Sequence, residues 1–247
     1  PQDLALAASC GLGLLPVRRR LRVGVLSTGD EIVAPELAAA LHHTPDANRP
    51  MLLEILRRWD MEPVDLGHAS DTADAVEAAL AEGSFRADAI LTSGGASAGD
   101  EDHVSRLLRV RGAMTTWRIA IKPGRPLALG IWEGRPVFGL PGNPVAAFVC
   151  TLIFARPALM RLAGGPWDIP RGLMLPAAFS KSKKAGRREY LRARLDAAGH
   201  VEVFGSEGSG RISGLSWAQG LVELGDPACE VRPGDPVRYL PFGDFGL

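Results

Sequence analysis

The sequence has few cysteines, few aromatic residues and no excess of charge. Its three cysteines, Cys10, Cys150 and Cys229, are far apart and odd in number, which argues against a disulfide framework and favours reduced, mostly buried thiols. Lysine plus arginine and aspartate plus glutamate number 28 each, so no global field attracts nucleic acid or an anionic membrane. Any anion site must therefore be local, and we expect neither nucleic acid nor a membrane as partner.

Long apolar runs, internal repeats and metal-ligand spacings are also missing. No stretch approaches the roughly 18 apolar residues of a membrane span, and the opening segment lacks the basic region of a signal peptide. The five histidines show no spacing typical of a metal site. Because the chain starts on a helix-like segment without an initiator methionine, we expect residues 1–20 to be the remnant of a preceding region. A cytoplasmic location is expected.

The order of predicted elements indicates an α/β domain over residues 21–165. Apolar strand-like runs are predicted at 21–27, 87–93, 114–121, 126–132 and 135–140. Helical periodicity is predicted at 51–60, at 72–82, from about 102 and in a long apolar segment after Pro144. This alternation predicts a parallel sheet covered by helices on both faces. From 166 to 247, short alternating runs separated by glycine and proline predict a small all-β domain.

Three loops fall at the ends of predicted strands. They are STGDE (27–31), TSGGASAGDED (92–102) and GLPGNP (139–144). In open α/β sheets, ligands bind outside the carboxyl ends of the strands. We therefore expect the three loops to converge on one edge of the sheet.

The glycine-rich loop combines features that favour an anion with features that repel one. Residues 93–99 leave backbone N–H groups open to an anion, yet Asp100, Glu101 and Asp102 follow directly. The dipole of the next helix explains one or two of these acids. A Mg²⁺ ion that binds both carboxylates and phosphates would explain all three.

Other motifs have two readings each. In IKPGRP (121–126), two cations flank a proline-rigidified turn that suits an oxyanion. Asp46 is either a helix cap or a ligand, and Asp30 either caps a turn or is functional. PGNP is either a strand-to-helix connection or part of a site. The segment 181–194, with seven cations and one acid, is either a solvated face or the complement of an anionic ligand.

Taken together, these motifs resemble those of the molybdenum insertase family (molybdopterin molybdenumtransferase, MoeA and the gephyrin E domain). The ordered set is STGDEIV, TPDANRP, TSGGASAGDEDHV, IKPGRPLALG, GLPGNPVAAF, GRREYLRARL and SEGSGRISGL. The resemblance runs from about residue 12 to the C-terminus. It implies a three-layer α/β/α molybdopterin-binding (MogA-like) domain followed by a small all-β, barrel-like domain.

The resemblance also implies a reaction, which is insertion of molybdate into adenylylated molybdopterin with Mg²⁺-dependent release of AMP. It implies a homodimer in the full-length protein and a molybdopterin adenylyltransferase as a further partner. The implied catalytic residues are Asp46, Asp102 and Lys122, and the implied Mg²⁺ ligands are Glu31, Asp46 and Asp102. The implied substrate-binding residues are Thr28, Gly29, Asp30, Ser93, Gly94, Gly95, Gly99, Arg125, Pro126, Pro141, Gly142, Asn143, Arg187 and Ser209.

Two other functions compete with the insertase. The first is a non-catalytic molybdopterin-binding or scaffold module, against which the presence of Asp46, Asp102 and Lys122 argues. The second is an adenylyltransferase on the same fold, against which IKPGRP and the second domain argue.

Overall fold

The computed structural model describes residues 1–37, 43–94, 103–124, 126–206, 208 and 210–247, with the backbone alone at 115–118 and 126. Within them the α-helices are α1 (Gln2–Ser9), α2 (Asn48–Arg58), α3 (Ala73–Arg86), α4 (His103–Val110), α5 (Pro144–Cys150), α6 (Arg156–Leu162) and α7 (Ser213–Trp217). The strands are β1 (Arg22–Thr28), β2 (Ile32–Val33), β3 (Thr44–Pro45), β4 (Glu62–Ala69), β5 (Ala89–Ser93), β6 (Ala113–Arg118), β7 (Ile121–Lys122), β8 (Pro126–Trp132), β9 (Arg135–Leu140), β10 (Leu173–Pro176), β11 (Lys181–Lys183), β12 (Arg188–Leu195), β13 (Val201–Val203), β14 (Gly220–Leu224), β15 (Cys229–Val231) and β16 (Pro236–Pro241).

The first sheet is mixed, with strand order β4-β1-β5-β9-β8-β6. Strands β4, β1, β5 and β9 are parallel, as predicted. The prediction of a wholly parallel sheet is wrong for β8, which runs antiparallel to both of its neighbours, β9 and β6. The reason is the two-residue turn Glu133–Gly134, where both residues have positive φ. Such a turn twists with its strands and joins only antiparallel neighbours.

Helices cover both faces of this sheet, which confirms the predicted three-layer architecture. Successive strand residues point to opposite faces, so Val25 and Leu91 are buried in one apolar cluster whereas Leu26 and Ile90 are buried in another. The first cluster also contains residues of α2 and α5, and the second contains residues of α3 and α4. The loops at the strand ends are therefore held between two packed cores.

The apolar segment after Pro144 forms one continuous helix, Pro144–Leu162, with a π-helical stretch between α5 and α6. By length and composition it is apolar enough to cross a membrane, with a mean hydropathy of 1.7. This corrects the expectation that no stretch approaches that length. In the fold, 67% of an 18-residue apolar stretch of this helix is buried, and Val149, Leu152 and Leu159 belong to the first core cluster.

The second domain closes into a barrel, as implied. Its sheet has the order β10-β16-β14-β12-β13, and a bridge between Ala177 and Val201 joins the two outer strands. Strand β7 of the first domain adds to this sheet, since Ile121 lies opposite Arg188 and Lys122 lies opposite Glu189 on β12. The two domains therefore share backbone hydrogen bonds at the IKPGRP turn. The division into 1–20, 21–165 and 166–247 stays a prediction.

The three cysteines differ in exposure. Cys150 is buried, Cys229 is half-buried and Cys10 is exposed, so the expectation of mostly buried thiols is wrong for Cys10. Burial raises the pKa of Cys150 to about 12. Because the thiolate is the reactive form, Cys150 is inert at neutral pH.

The segment that precedes β1 is tied to the sheet by Asp88. Arg19 donates two hydrogen bonds to its carboxylate at 2.6 and 2.7 Å, and the backbone N–H of Arg22 donates a third at 2.9 Å. The Arg19 guanidinium, followed by the Arg22 amide, holds the pKa of the Asp88 carboxyl well below its usual range. A depressed pKa means that the ionised carboxylate stabilises the folded state.

We expect Asp88→Asn to lower the free energy of unfolding by about 1 kcal/mol at pH 7, because the ion pair is half exposed. The wild-type carboxylate loses this contribution as pH falls from its unfolded pKa of about 3.9 toward its lower folded pKa. The difference between the two proteins should therefore shrink below pH 4 in urea unfolding. Asp60→Asn, which removes the exposed Arg20–Asp60 pair, is the control and should change little. An equal deficit at pH 7 and pH 3 would contradict this account.

Candidate active site

The carboxyl ends of β1, β5 and β9 meet at one edge of the first sheet, which confirms the predicted convergence for the described parts of the loops. The Gly94 N–H donates to the Leu140 carbonyl at 3.3 Å. Gly94 has φ +93°, and a Cβ on it would lie 2.6 Å from the Thr28 carbonyl oxygen. Glycine is therefore required at 94, because any side chain would push the ends of β1 and β5 apart.

Asn48, at the start of α2, links two of these strand ends. Its Nδ2 donates to Ser93 Oγ and to the Gly142 carbonyl, both at 2.7 Å. Asn48 Oδ1 and Thr28 Oγ1 are buried and have no hydrogen-bond partner in the part of the chain that the structure describes. Two such polar atoms are typical of a place where a ligand or a further loop supplies the partner. Asn48 belongs to the TPDANRP motif, but no role was predicted for it from the sequence.

Asp46 caps α2 and forms an ion pair in this structure. It is 4% exposed, and its Oδ1 accepts from the Arg49 N–H at 3.0 Å. Its Oδ2 accepts from Ser27 Oγ at 2.6 Å and from Arg49 Nε at 3.1 Å. Of the two roles considered for Asp46, helix cap or ligand, the structure therefore shows the contact expected of a cap. A role in catalysis stays a prediction.

The acids of STGDE make local contacts. Asp30 Oδ1 accepts from the Asp71 N–H at 2.8 Å, so it fastens this loop to the one before α3. Glu31 is exposed, and its carboxylate lies over Gly29, where a Cβ would stand 3.0 Å from Glu31 Oε2. Gly29 has φ +123°, and its carbonyl oxygen lies within hydrogen-bond distance, 2.8 Å, of His68 Nε2.

The described acids do not by themselves fit a Mg²⁺ ion. Strands β2 and β3 are parallel, with Ile32 opposite Thr44, so Glu31 and Asp46 are separated by about three residues, roughly 10 Å, along the ladder. Both oxygens of Asp46 are already bonded to Ser27 or Arg49. Within the described ranges no three histidine, cysteine, aspartate or glutamate side chains come together as a metal site.

Several predicted site residues lie outside the described residues: Gly95, Gly99, Asp102, Arg125 and Ser209. Pro126 is described by its backbone, as the first residue of β8 opposite Arg118. In the same turn, Gly124 has φ +105°, and a Cβ there would lie 2.5 Å from Cys150 Sγ. The IKPGRP turn is therefore packed directly on the helix that follows LPGNP.

The LPGNP turn stands between the sheet edge and the second domain. Pro141 is buried, and Gly142 accepts the bond from Asn48. Asn143 caps α5, because its Oδ1 accepts from the N–H groups of Val145 and Ala146 at 3.1 and 3.4 Å. Its Nδ2 lies 3.9 Å from where a Cβ on Gly210 would be. PGNP is thus a strand-to-helix connection that also meets the SEGSGR loop.

A cavity of about 250 Å³ opens at this junction of the two domains. Its lining comprises Lys122, Pro123, Val145, Ser180, Lys181, Tyr190, Leu191, Arg192, Val203, Phe204, Gly205 and Ser206. Lys122 Nζ is 3.6 Å from Glu189 Oε1, and Lys181 Nζ is 3.3 Å from Glu189 Oε2. The sequence singled out Lys122, whereas Lys181 and Glu189 were only part of a basic run whose single acid is Glu189.

Part of that basic run is directed inward, since Lys183 and Arg192 are buried, whereas Lys184 and Arg187 are exposed. Lys183 is buried and donates to the carbonyls of Asp226 and Pro227 at 3.3 and 3.0 Å. Arg188 pairs with Glu223 at 3.0 Å. Arg187 is exposed in the turn before β12 and is not among the residues that line the cavity. Its predicted role in oxyanion binding stays a prediction.

Arg192 holds the SEGSGR loop against the cavity. It is 5% exposed and donates to the carbonyls of Arg211 at 2.6 Å, Gly208 at 3.2 Å and Ser206. Its guanidinium carbon lies 4.9 Å above the centre of the Phe204 ring. Burial lowers the pKa of Arg192, and carbonyl dipoles stabilise its charge.

Comparison with known families accounts for nearly the whole chain. A probable molybdopterin binding domain matches residues 24–161, and the MoeA C-terminal region (domain IV) matches residues 175–242. The chain is 34% identical to a molybdopterin molybdenumtransferase of Haemophilus influenzae over 98% of its length. The chain belongs to the molybdopterin molybdenumtransferase family. The resemblance inferred from the motifs is thereby confirmed.

Other members of the molybdopterin molybdenumtransferase family are similar to this chain in sequence and in structure. Molybdopterin molybdenumtransferase 2 of Mycobacterium tuberculosis is 35% identical over 96% of this chain. The structure of a molybdopterin biosynthesis MoeA protein from Pyrococcus horikosii superimposes with a TM-score of 0.84 at 26% identity, covering 98% of this chain and 59% of that one. The chain spans 61% and 60% of the lengths of the two curated relatives.

We expect Asn48→Ala to lower the free energy of unfolding by about 2 kcal/mol, because it removes two buried hydrogen bonds and leaves the Gly142 carbonyl without its partner. Ser93→Ala removes only one of those bonds and should cost about half as much. Urea unfolding measures both, and hydrogen exchange at Gly94 should accelerate in Asn48→Ala. If Asn48→Ala unfolds at the same urea concentration as the wild-type protein, Asn48 does not hold the strand ends together.

We expect Arg192→Lys to loosen residues 205–211, because lysine keeps the charge but loses the planar fork that reaches several carbonyls at once. Amide hydrogen exchange in this loop should speed up about tenfold, as for the loss of one charged hydrogen bond. Arg194→Lys, two residues further along the same strand and 41% exposed, is the control and should leave the loop unchanged. Equal exchange in both variants would mean that other contacts hold the loop.

Proposed function

We propose that this chain binds molybdopterin and molybdate and takes part in transferring the molybdenum to the pterin. The observation that carries the proposal is the cavity at the domain junction, lined by Lys122 and Lys181 and separated from the sheet edge by the LPGNP turn. Relatives with this domain pair are named molybdopterin molybdenumtransferases.

The two sides of the LPGNP turn suit two different ligand groups. At the sheet edge, the Thr28 hydroxyl has no hydrogen-bond partner among the described residues, and the Ser93 hydroxyl accepts from Asn48. Hydroxyl and backbone N–H donors of this kind hold phosphate oxygens. Across the turn, two ammonium groups attract a tetrahedral dianion such as molybdate.

Proximity is the contribution of this arrangement to the reaction. A pterin whose phosphate lies at the sheet edge would extend past Asn143 toward the cavity, where Lys122 and Lys181 hold the oxyanion. Fixing both reactants in one geometry removes much of the entropic barrier to their reaction. The Lys122 ammonium group also stabilises negative charge on the oxygens of a bound molybdate.

The finer features of the reaction are proposed from the family resemblance. They are an adenylylated pterin as substrate, release of AMP with Mg²⁺, and Glu31 with Asp102 as acids beside the phosphates. A homodimer, a molybdopterin adenylyltransferase partner and a cytoplasmic location are proposed on the same ground.

We expect Lys122→Met to weaken molybdate binding at least tenfold, about 1.4 kcal/mol, while changing affinity for adenylylated molybdopterin less than twofold. Calorimetric titration of the purified chain with each ligand measures both, and release of AMP is followed separately. Lys184→Met, at an exposed position of the second domain, is the control. Saturable binding of both ligands without AMP release would favour the non-catalytic module. Failure of the wild-type chain to bind the pterin would overturn the proposal.

A further inference from the structure

Glu189 stands behind the two lysines of the cavity. Pairing of β7 with β12 fixes Lys122 directly opposite Glu189, and Lys181 approaches the other carboxylate oxygen from β11. The side chains of Glu189 and Lys181 are 10% and 12% exposed. Both lysines line the cavity, whereas Glu189 is not part of its lining.

The contacts of Glu189 are long for paired charges. The Nζ–Oε distances of 3.3 and 3.6 Å exceed the 2.7–2.9 Å of tight charge-assisted hydrogen bonds. Glu189 Oε2 is buried and has no hydrogen bond from the described residues. The carboxylate therefore lowers the positive potential that both ammonium groups present to the cavity.

We infer that Glu189 is an internal counter-ion that limits how tightly the cavity holds an oxyanion, so that the ion can be passed on. Lys181 is the second cation of that site, together with Lys122. This inference rests on the oxyanion part of the proposed function. It makes Glu189 a charge-setting residue, because Glu189 is not among the residues that line the cavity.

The charge of the ligand distinguishes an electrostatic role of Glu189 from a structural one. The Coulomb energy between Glu189 and a bound ion is proportional to the charge of that ion. Removing the negative charge of Glu189 should therefore favour a dianion about twice as much, in free energy, as a monoanion of the same shape. A purely structural role would affect both ions alike.

The experiment titrates the chain with molybdate, a dianion, and with perrhenate, a tetrahedral monoanion of similar size. We expect Glu189→Gln to tighten molybdate binding about tenfold and perrhenate binding about threefold, in line with the charge ratio. Glu230→Gln makes the same change in net charge at an exposed position of the same domain and should leave both affinities unchanged. Raising the salt concentration should reduce the gain in molybdate affinity only slightly, because the side chains of Glu189 and Lys181 are only 10% and 12% exposed.

A second variant keeps the inference testable if Glu189→Gln folds poorly. Lys181→Gln should weaken molybdate binding by a larger factor than perrhenate binding. If molybdate and perrhenate affinities change by the same factor in either variant, or if Glu189→Gln changes neither affinity, the inference is overturned. The proposed function is left intact by these outcomes. If the wild-type chain binds neither ion, the cavity is not an oxyanion site and the inference fails; pterin binding then decides the proposed function separately.

Discussion

The pairing of β7 with β12 is the contact on which the candidate site depends. It makes two residues of a first-domain loop into a strand of the second domain's barrel. Backbone hydrogen bonds set this junction to a single register, so Lys122 faces Glu189 and lies beside Lys181. In another register Lys122 would not lie opposite Glu189, and the two lysines of the cavity would not share a carboxylate.

Glycines and one asparagine bring the remaining loops to the same place. Gly94 lets β5 end against Thr28, and Gly124 lets the IKPGRP turn rest on Cys150. Asn48 then ties Ser93 to Gly142. These are interactions of backbone and small side chains, so the geometry of the site is set by close packing.

Periodicity and motif order predicted the layers, the converging loops and the second β domain, because these follow from local patterns of apolar residues and glycine. The antiparallel strand β8 was not foreseen, since the turn Glu133–Gly134 carries a weaker signal than Asn-Gly. Lys181 and Glu189 were hidden within a basic run. Their meeting with Lys122 depends on pairing between residues more than 55 positions apart, which no local pattern encodes.

Register also limits how this architecture can be rearranged. Side chains alternate across a strand, so shifting β7 by one residue against β12 would turn Lys122 to the opposite face of the barrel sheet. A chimaera that joins the first domain to a relative's barrel therefore has to exchange the IKPGRP segment and its partner strand as one unit. The functional border between the domains runs through a hydrogen-bonded ladder and does not coincide with the linker after Leu162.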